Sequence, residues 1–455
     1  MSKPLFDNFE PITAKQWKQK IQFDLDGADY NDTLIWTSNE GIPVKPFYNS
    51  EDTKTLQKFH SYEEHDFKIC ETIYVHNTVS SNKYALKVLN RGVDTLKFVL
   101  PSKDVAIDKL LSNINVLKTP IHLEFQFLSE DIAQNLYNTQ QGALLYSHVD
   151  IIGNLAKSGN WYTDLNTDFE IFNSMVDHTR MFSVNVGLYQ NAGANMVQEL
   201  AYALAHANEY LNYFNTATGE KINPKSIVFN VAIGSNYFFE IAKLRALRWL
   251  WHILVLEYNL NINCHIFATP SKRNKAIYDY NTNMLRTTTE CMSAILGGAN
   301  TINNLPYDAI YHKTNTFGNR IARNQLLILK HESYFNMVNN AADGCYYIET
   351  LTQQLAEKAL ALFKDIEANG GFLNQLKMGT IQRKINESAT KEQAQFDNGE
   401  IIILGSNKHV NPKDKMAQNL ELYPFVKQKK RKTLIAPIIE KRLTETLEQK
   451  RLKTE

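Results

Sequence analysis

The chain has 455 residues, with 49 basic and 48 acidic side chains and a formal net charge of +1. That length holds one large barrel of about 250 residues with extensions, or two to three ordinary domains. The charge balance gives no general attraction to nucleic acid or to an anionic membrane surface. Hydrophobic residues at 44% and aromatics at 11% match a globular interior.

Residues 1–68 read as an arm. A helical pattern runs from Thr13 to Asp24, followed by the polar Leu25–Asp29. Leu34–Trp36 is a short extended piece, and the prolines of Gly41–Pro46 force extended backbone. The start, Met1–Glu10, has no apolar signal region. From residue 69 a β-then-α alternation begins. Candidate strands are Glu71–Val75, Thr95–Leu100, Ile121–Phe127, Leu144–Ile151, Phe182–Leu188, Ile227–Ile233, Asn263–Ala268 and Thr301–Leu305. Helical patterns lie between most of them, at Val105–Ile114, Met196–Tyr213, Phe238–Leu256 and Tyr280–Leu296. Eight such units over 69–335 predict a (β/α)8 TIM-type barrel, with an open doubly wound sheet as the alternative. Residues 336–455 form a C-terminal helical extension and arm. Helical patterns at Asn319–Asn336 and Thr350–Ala368 are followed by the polar stretch Gln382–Gln395, Ile401–Leu404, the basic run Lys427–Lys432 and the amphipathic Ile438–Leu452.

No apolar run reaches the roughly 20 residues that span a bilayer. Cys70, Cys264, Cys291 and Cys345 have no close cysteine neighbour, so they read as reduced thiols of a cytoplasmic protein. The basic run lacks interleaved aromatics and reads as a solvated arm rather than a nucleic-acid site.

The predicted strands carry one polar or small face. Ser183, Asn185 and Gly187 alternate with Phe182, Val184 and Val186. Asn230 and Ala232 alternate with Phe229 and Val231, and His122, Glu124 and Gln126 with Leu123 and Phe125. Side chains alternate across a strand, so this face either lines a wet or ligand-bearing channel or sits at strand ends and edges.

Four segments concentrate chemistry: Asn185–Ala194, Ala232–Arg245, Leu285–Gly298 and Asn319–Asn324. Ser235 can cap the helix that follows it. Glu240, Lys243 and Arg245 read most simply as intrahelical ion pairs, and Arg286 with Glu290 as solvated helix charges. Arg320 and Arg323, one turn apart, can hold an acidic partner. His148 and His265 read as hydrogen-bonded strand histidines. There is no GxGxxG, P-loop, HExxH or GxSxG.

These segments together resemble the methylmalonyl-CoA mutase family. FNVAIGSNYFFEIAKLR at 229–245, LRTTTECMSAILGG at 285–298, RIARN at 320–324 and GCYYIETLT at 344–352 are each similar to a family block. Glu367 before Gly370-Gly371, and Gly405–Lys408, fit as well. Leu34–Trp36 with Gly41–Pro46 resembles the family's small-subunit branch. The resemblance implies a barrel threaded along its axis by the pantetheine arm of coenzyme A. It marks Asn185, Gln190, Asn230, Asn236, Arg286 and Glu290 as vestigial channel or substrate-side positions, with Arg286 and Glu290 near the family's deoxyadenosyl end.

Departures from the family pattern set the functional expectation. The tyrosine–histidine pair expected before the QEAGA-like block falls on Leu188 and Tyr189, so the imidazole that would bind the thioester oxygen is missing. The proline-rich arginine block has no match between Gly153 and Arg180, and Ala268–Arg273 replaces the thioester-side QTSG. No DxHxxG, the mark of the cobalamin domain, occurs. The expectation is therefore a non-catalytic small subunit with no catalytic or metal-binding residue, and with no cofactor bound by this chain. Adenosylcobalamin would belong to a large mutase subunit partnered in a heterodimer. The alternatives are a substrate-binding barrel of a split acyl-CoA mutase and a residual coenzyme A binding module with a regulatory role.

Overall fold

The computed structural model describes residues 5–7, 9–10, 12–56, 66–132, 144–216, 224–339, 341–427 and 431–455. Eight parallel strands form one sheet: β1 Lys68–Tyr74, β2 Thr95–Leu100, β3 Ile121–Phe125, β4 Leu145–His148, β5 Met181–Asn185, β6 Ser226–Ile233, β7 Asn263–Pro270 and β8 Thr301–Asn303. Their hydrogen-bonded order is β4-β3-β2-β1-β8-β7-β6-β5. β4 and β5 are brought together by the Ser183 amide, which donates to the Val149 carbonyl at 3.1 Å. The sheet is thus a nearly closed (β/α)8 barrel, and every predicted strand is present.

One side chain organises the β4–β5 seam. Asp150 Oδ1 accepts from the Gly153 amide (2.7 Å) and Tyr210 Oη (2.7 Å), and Oδ2 from the Asn185 amide (2.8 Å). His206 Nε2 lies 2.9 Å from the same carboxylate. Burial raises a carboxyl's affinity for its proton, but His206, Tyr210 and the Asn185 amide outweigh that and hold Asp150 below its ordinary range. A Cβ at Gly153 would stand 2.2 Å from Asp150 Oδ2, which is why that position has no side chain.

Outward-facing apolar residues of the strands, such as Leu96, Phe98, Leu123, Phe182, Phe229 and Ile266, pack under the helices in the main core. The helices named below are α1 Ala14–Asp24, α2 Ile151–Ser158, α3 Met196–Thr216, α4 Tyr237–Glu257, α5 Thr282–Leu296, α6 Thr316–His331, α7 Tyr346–Ala368 and α8 Thr380–Asp397. α1 starts on a capping box between Thr13 and Gln16 and has no buried residue. Trp36–Thr37 pairs antiparallel with Pro43–Val44 in a small hairpin, while Leu34, expected to be extended, ends the short helix Tyr30–Leu34.

Several elements differ from the sequence expectation. The strand over 182–188 stops at Asn185, and Gly187–Ala192 forms a short helix. The helix over 105–114 shrinks to Ile107–Leu110, with Asn113 in left-handed backbone just beyond. The polar stretch 382–395 is part of α8, a helix of good formers that buries Ile381, Gln382, Ile385 and Phe396. Of the basic run, 428–430 lie outside the described residues. The four cysteines are free, three of them buried.

The polar face identified in the sequence points inward. In register, Lys97 sits beside His122, His122 beside Tyr146, Glu124 beside His148, Asn185 beside Asn230, and Asn230 beside Phe267. Within eight strands β3 and β7 stand on opposite walls, yet the His122 ring lies 5.4 Å from that of His265 and 4.9 Å from that of Phe267. Tyr146 approaches His265 to 4.4 Å. The two walls therefore touch across the axis. Cys70, Val228 and Phe267, with Tyr146, make an inner apolar cluster separate from the core under the helices.

Candidate functional site at the C-terminal face of the barrel

In (β/α)8 barrels, ligands are met by the loops at the C-terminal ends of the strands. Here those loops border a cavity of ≈ 670 Å³. Gln190, Asn236 and Arg286 line it, together with Ser271, Arg273 and Asn274, and Ile401–Leu404 lie across one side. Gln190 Oε1 accepts from Ser271 Oγ at 2.7 Å, and Asn191 Oδ1 accepts from the Lys272 amide at 3.0 Å, which joins the loops after β5 and β7. Gly193, at φ +102°, has no room for a Cβ: one would meet the Arg273 guanidinium at 2.8 Å and Ala389 at 2.5 Å.

The inner wall is ionic and self-paired. Lys243 sits 2.8 Å from Glu199 and 2.7 Å from Glu240, and donates to the Ala232 carbonyl at 2.9 Å. Glu240 reaches back to accept from the Gly234 amide at 2.7 Å. Ser235 does not cap α4: Asn236 holds the N-cap position, with no side-chain cap bond. Burial, and the presence of two carboxylates around one ammonium, push Glu199 up to about 8. Lys243 itself is raised: burial opposes its charge, but the two glutamates prevail. The intrahelical pair expected on α4 is present between Glu240 and Lys243, but it is buried and shared with Glu199 of α3, while Arg245 pairs outside the helix with Glu349 of α7 at 2.7 Å. Lys243 is 1% exposed, and the helix is buried on most of its surface.

Glu290 lies behind the cavity. It is 1% exposed and takes Lys275 on both oxygens at 2.8 Å and Asn274 at 2.7 Å. Burial raises its carboxyl and lowers the Lys275 ammonium, and each offsets the other. Arg286 donates to Asn283 Oδ1 (2.7 Å) and to the Leu404 carbonyl (2.6 Å), so it ties residues 401–404 to α5. Arg323 holds Glu71 at 2.6 Å, whereas Arg320 stands over the Phe317 ring. Asn185 and Asn230 belong to the barrel interior, away from this cavity. The six candidate positions therefore divide three at the cavity, one behind it and two inside the barrel.

Tyr189 is fully buried and turned outward from the cavity: its Oη is 2.8 Å from His206 Nδ1, inside the Asp150 network. Leu188 beside it is buried as well, and among the described residues no histidine lines the cavity. A smaller cavity of ≈ 380 Å³ opens over β1, β2, β7 and β8 and is bounded by Cys70, Lys97 and Phe267. Among the described residues, no three histidine, cysteine, aspartate or glutamate side chains come together as a metal site. Sequence reasoning missed Glu199, Lys275 and the meeting of His122, His148 and His265. Only the last left a signal, as three histidines on inward positions of predicted strands.

The carboxylate nearest the expected deoxyadenosyl end, Glu290, is held by Lys275 and Asn274.

The family model of methylmalonyl-CoA mutase matches residues 143–453. The methylmalonyl-CoA mutase small subunit of Porphyromonas gingivalis is 34% identical over 440 residues, covering 90% of this chain and 71% of that one. Methylmalonyl-CoA mutases of Cereibacter sphaeroides and Rhizobium meliloti are 29% and 27% identical, covering 89% and 87% of this chain. The chain spans only 65% and 64% of their lengths. Among the described residues no helix is long and apolar enough to cross a membrane. With the matching blocks placed on β6, α4, α5, α6 and α7 of a (β/α)8 barrel, this chain belongs to the methylmalonyl-CoA mutase family.

Proposed function

We propose that this chain is the non-catalytic small subunit of a cytoplasmic, heterodimeric methylmalonyl-CoA mutase. Its large partner holds adenosylcobalamin and carries out the conversion to succinyl-CoA, and this chain stabilises that partner. The observation that carries the reading is the contact of opposite barrel walls through His122, His265 and Phe267. A pantetheine arm needs an axial passage, and these rings occupy the axis. Radical chemistry also needs preorganised donors in a water-excluded pocket. At this C-terminal face Tyr189 is committed to His206, and Glu290 to Lys275. The split-enzyme and residual coenzyme A readings both require the passage, so they rank behind.

Co-expression with a large mutase chain tests the proposal. We expect the two to co-purify as a heterodimer that turns over methylmalonyl-CoA, with turnover unchanged by Glu290→Gln in this chain. If Glu290→Gln abolished turnover while the complex stayed assembled, the working site would include this barrel and the split-enzyme reading would replace ours.

A further inference from the structure

We propose that the rings meeting on the barrel axis form an acid-sensitive plug, closed while His122, His148 and His265 are neutral and loosened when they take up protons. The inference concerns the barrel's own interior and does not depend on the subunit reading.

The plug is one contact network. His122 stacks on Tyr146 (4.6 Å, 13°), meets His148 at 5.1 Å, and reaches His265 and Phe267 across the axis. His148 and Phe267 meet edge-on at 5.5 Å. Inside it, His122 Nδ1 and His148 Nε2 share a hydrogen bond of 2.8 Å, which requires one ring to donate and the other to accept. Among the described residues His122 Nε2 and His148 Nδ1 find no hydrogen-bond partner, and the Asn230 side chain lies beside the His148 ring. His265 Nε2 lies 3.0 Å from Thr301 Oγ1.

Among the described residues no anion is free to accompany an added proton. Facing the rings from β2 is the Lys97 ammonium, 4.7 Å from the Phe267 ring centroid. Glu124 on β3 is already paired with that lysine at 2.7 Å. Cys70 on β1 and Tyr146 on β4 are neutral, their protons held more tightly by burial. Behind His265, Arg248 of α4 donates to the Cys264 carbonyl at 2.7 Å. A protonated imidazole here is thus a buried cation among cations. Burial, then its neighbours, pushes His122 and His148 well below the ordinary histidine range, and burial with Arg248 brings His265 down to about 3.

The linkage sign follows. An opened barrel exposes the imidazoles at their ordinary affinity, near 6.5, so below that pH the open form binds protons that the closed form refuses. Closure is fully favoured above about 6.5 and lost as pH falls. Each proton taken up multiplies the open-to-closed ratio by about ten per pH unit, so three give up to about 10³-fold per unit.

The test follows hydrogen exchange of the β3, β4 and β7 amides in the full chain from pH 7 to 4, corrected for intrinsic rates, alongside NMR titration of the imidazole ring protons. We expect the opening constant to rise by more than tenfold per pH unit below 6.5. The three buried imidazoles should stay neutral until those strands lose protection. His265→Gln, which keeps a hydrogen-bonding group near Thr301, should reduce the dependence by about tenfold per unit. An opening constant independent of pH, or any of the three imidazoles titrating near 6.5 with the strands still protected, overturns the proposal. Should His265→Gln not fold, the titration of the unaltered chain decides alone.

Discussion

The barrel axis and the cavity wall bury titratable groups in opposite ways. On the axis, three imidazoles are kept neutral and packed ring against ring. In the wall, the Lys243 ammonium is held between the Glu199 and Glu240 carboxyls, at 2.8 and 2.7 Å. Desolvation penalises the charged form in both, so it lowers the bases on the axis and raises the acid in the wall. The two regions must therefore respond to pH with opposite signs, the axis failing toward acid and the wall toward base. They also differ in what they tolerate: a neutral ring can give way to another ring, whereas a paired ion cannot lose its partner alone.

The largest effect should come from Lys243→Met. It leaves Glu199 and Glu240 facing each other without the ammonium, and removing one partner of a buried ion pair costs about 3–5 kcal/mol. Urea unfolding at pH 7 measures it, and a loss below about 1 kcal/mol would show the wall is not held by charge. Next is Glu199→Gln. The native carboxyl has a folded value of about 8 against roughly 4.5 when unfolded. Its contribution is complete below about 4.5 and disappears as pH rises through about 8. The variant should lose that fall, so its stability relative to the native chain should climb across the window. A pH-independent difference would break the contrast with the axis. The smallest is Gln190→Ala, which removes the half-buried bond to Ser271 and should cost about 1 kcal/mol, with the cavity otherwise intact.

The barrel was legible because its signal is local and repeated. Each strand, such as Ile227–Ile233, carries its own alternation and most are followed by a helical pattern, so many weak signals reinforce one another. The inward direction of Asn185 and Asn230 followed from the same period of two. What lines the axis followed only in part, since period two gives a side chain's face but not what it meets. His122 and His265 are 143 positions apart and touch because β3 and β7 stand opposite, which needs the closed barrel first. Family blocks located Arg286, Glu290 and Lys243, but a block cannot say whether a carboxylate faces a cavity or a lysine behind it. Glu199 and Lys275 carried no local signal, because each gains meaning from a partner on another element. The length of α8 was hidden by its polarity, since so few of its side chains are buried.

The last stretch of the chain, which closes over the barrel's loops, has a kinetic consequence. The Leu434 amide donates to the Gly159 carbonyl at 2.9 Å and the Ile438 amide to Ala156 at 2.8 Å, at the end of α2. The Lys441 amide donates to Asn191 and the Leu443 amide to Arg273, both at 3.0 Å, and Arg442 donates to the Lys275 carbonyl at 3.0 Å. These contacts span from 167 to 282 positions of sequence, and distant contacts delay folding because loop-closure entropy is lost before they form. During synthesis the eight strands can pair while the loops at their C-terminal ends still lack these bonds. The nascent barrel therefore passes through an interval with its upper face unsealed, when exposed apolar surface favours aggregation, and it reaches its final form only once the C-terminal segment has left the ribosome.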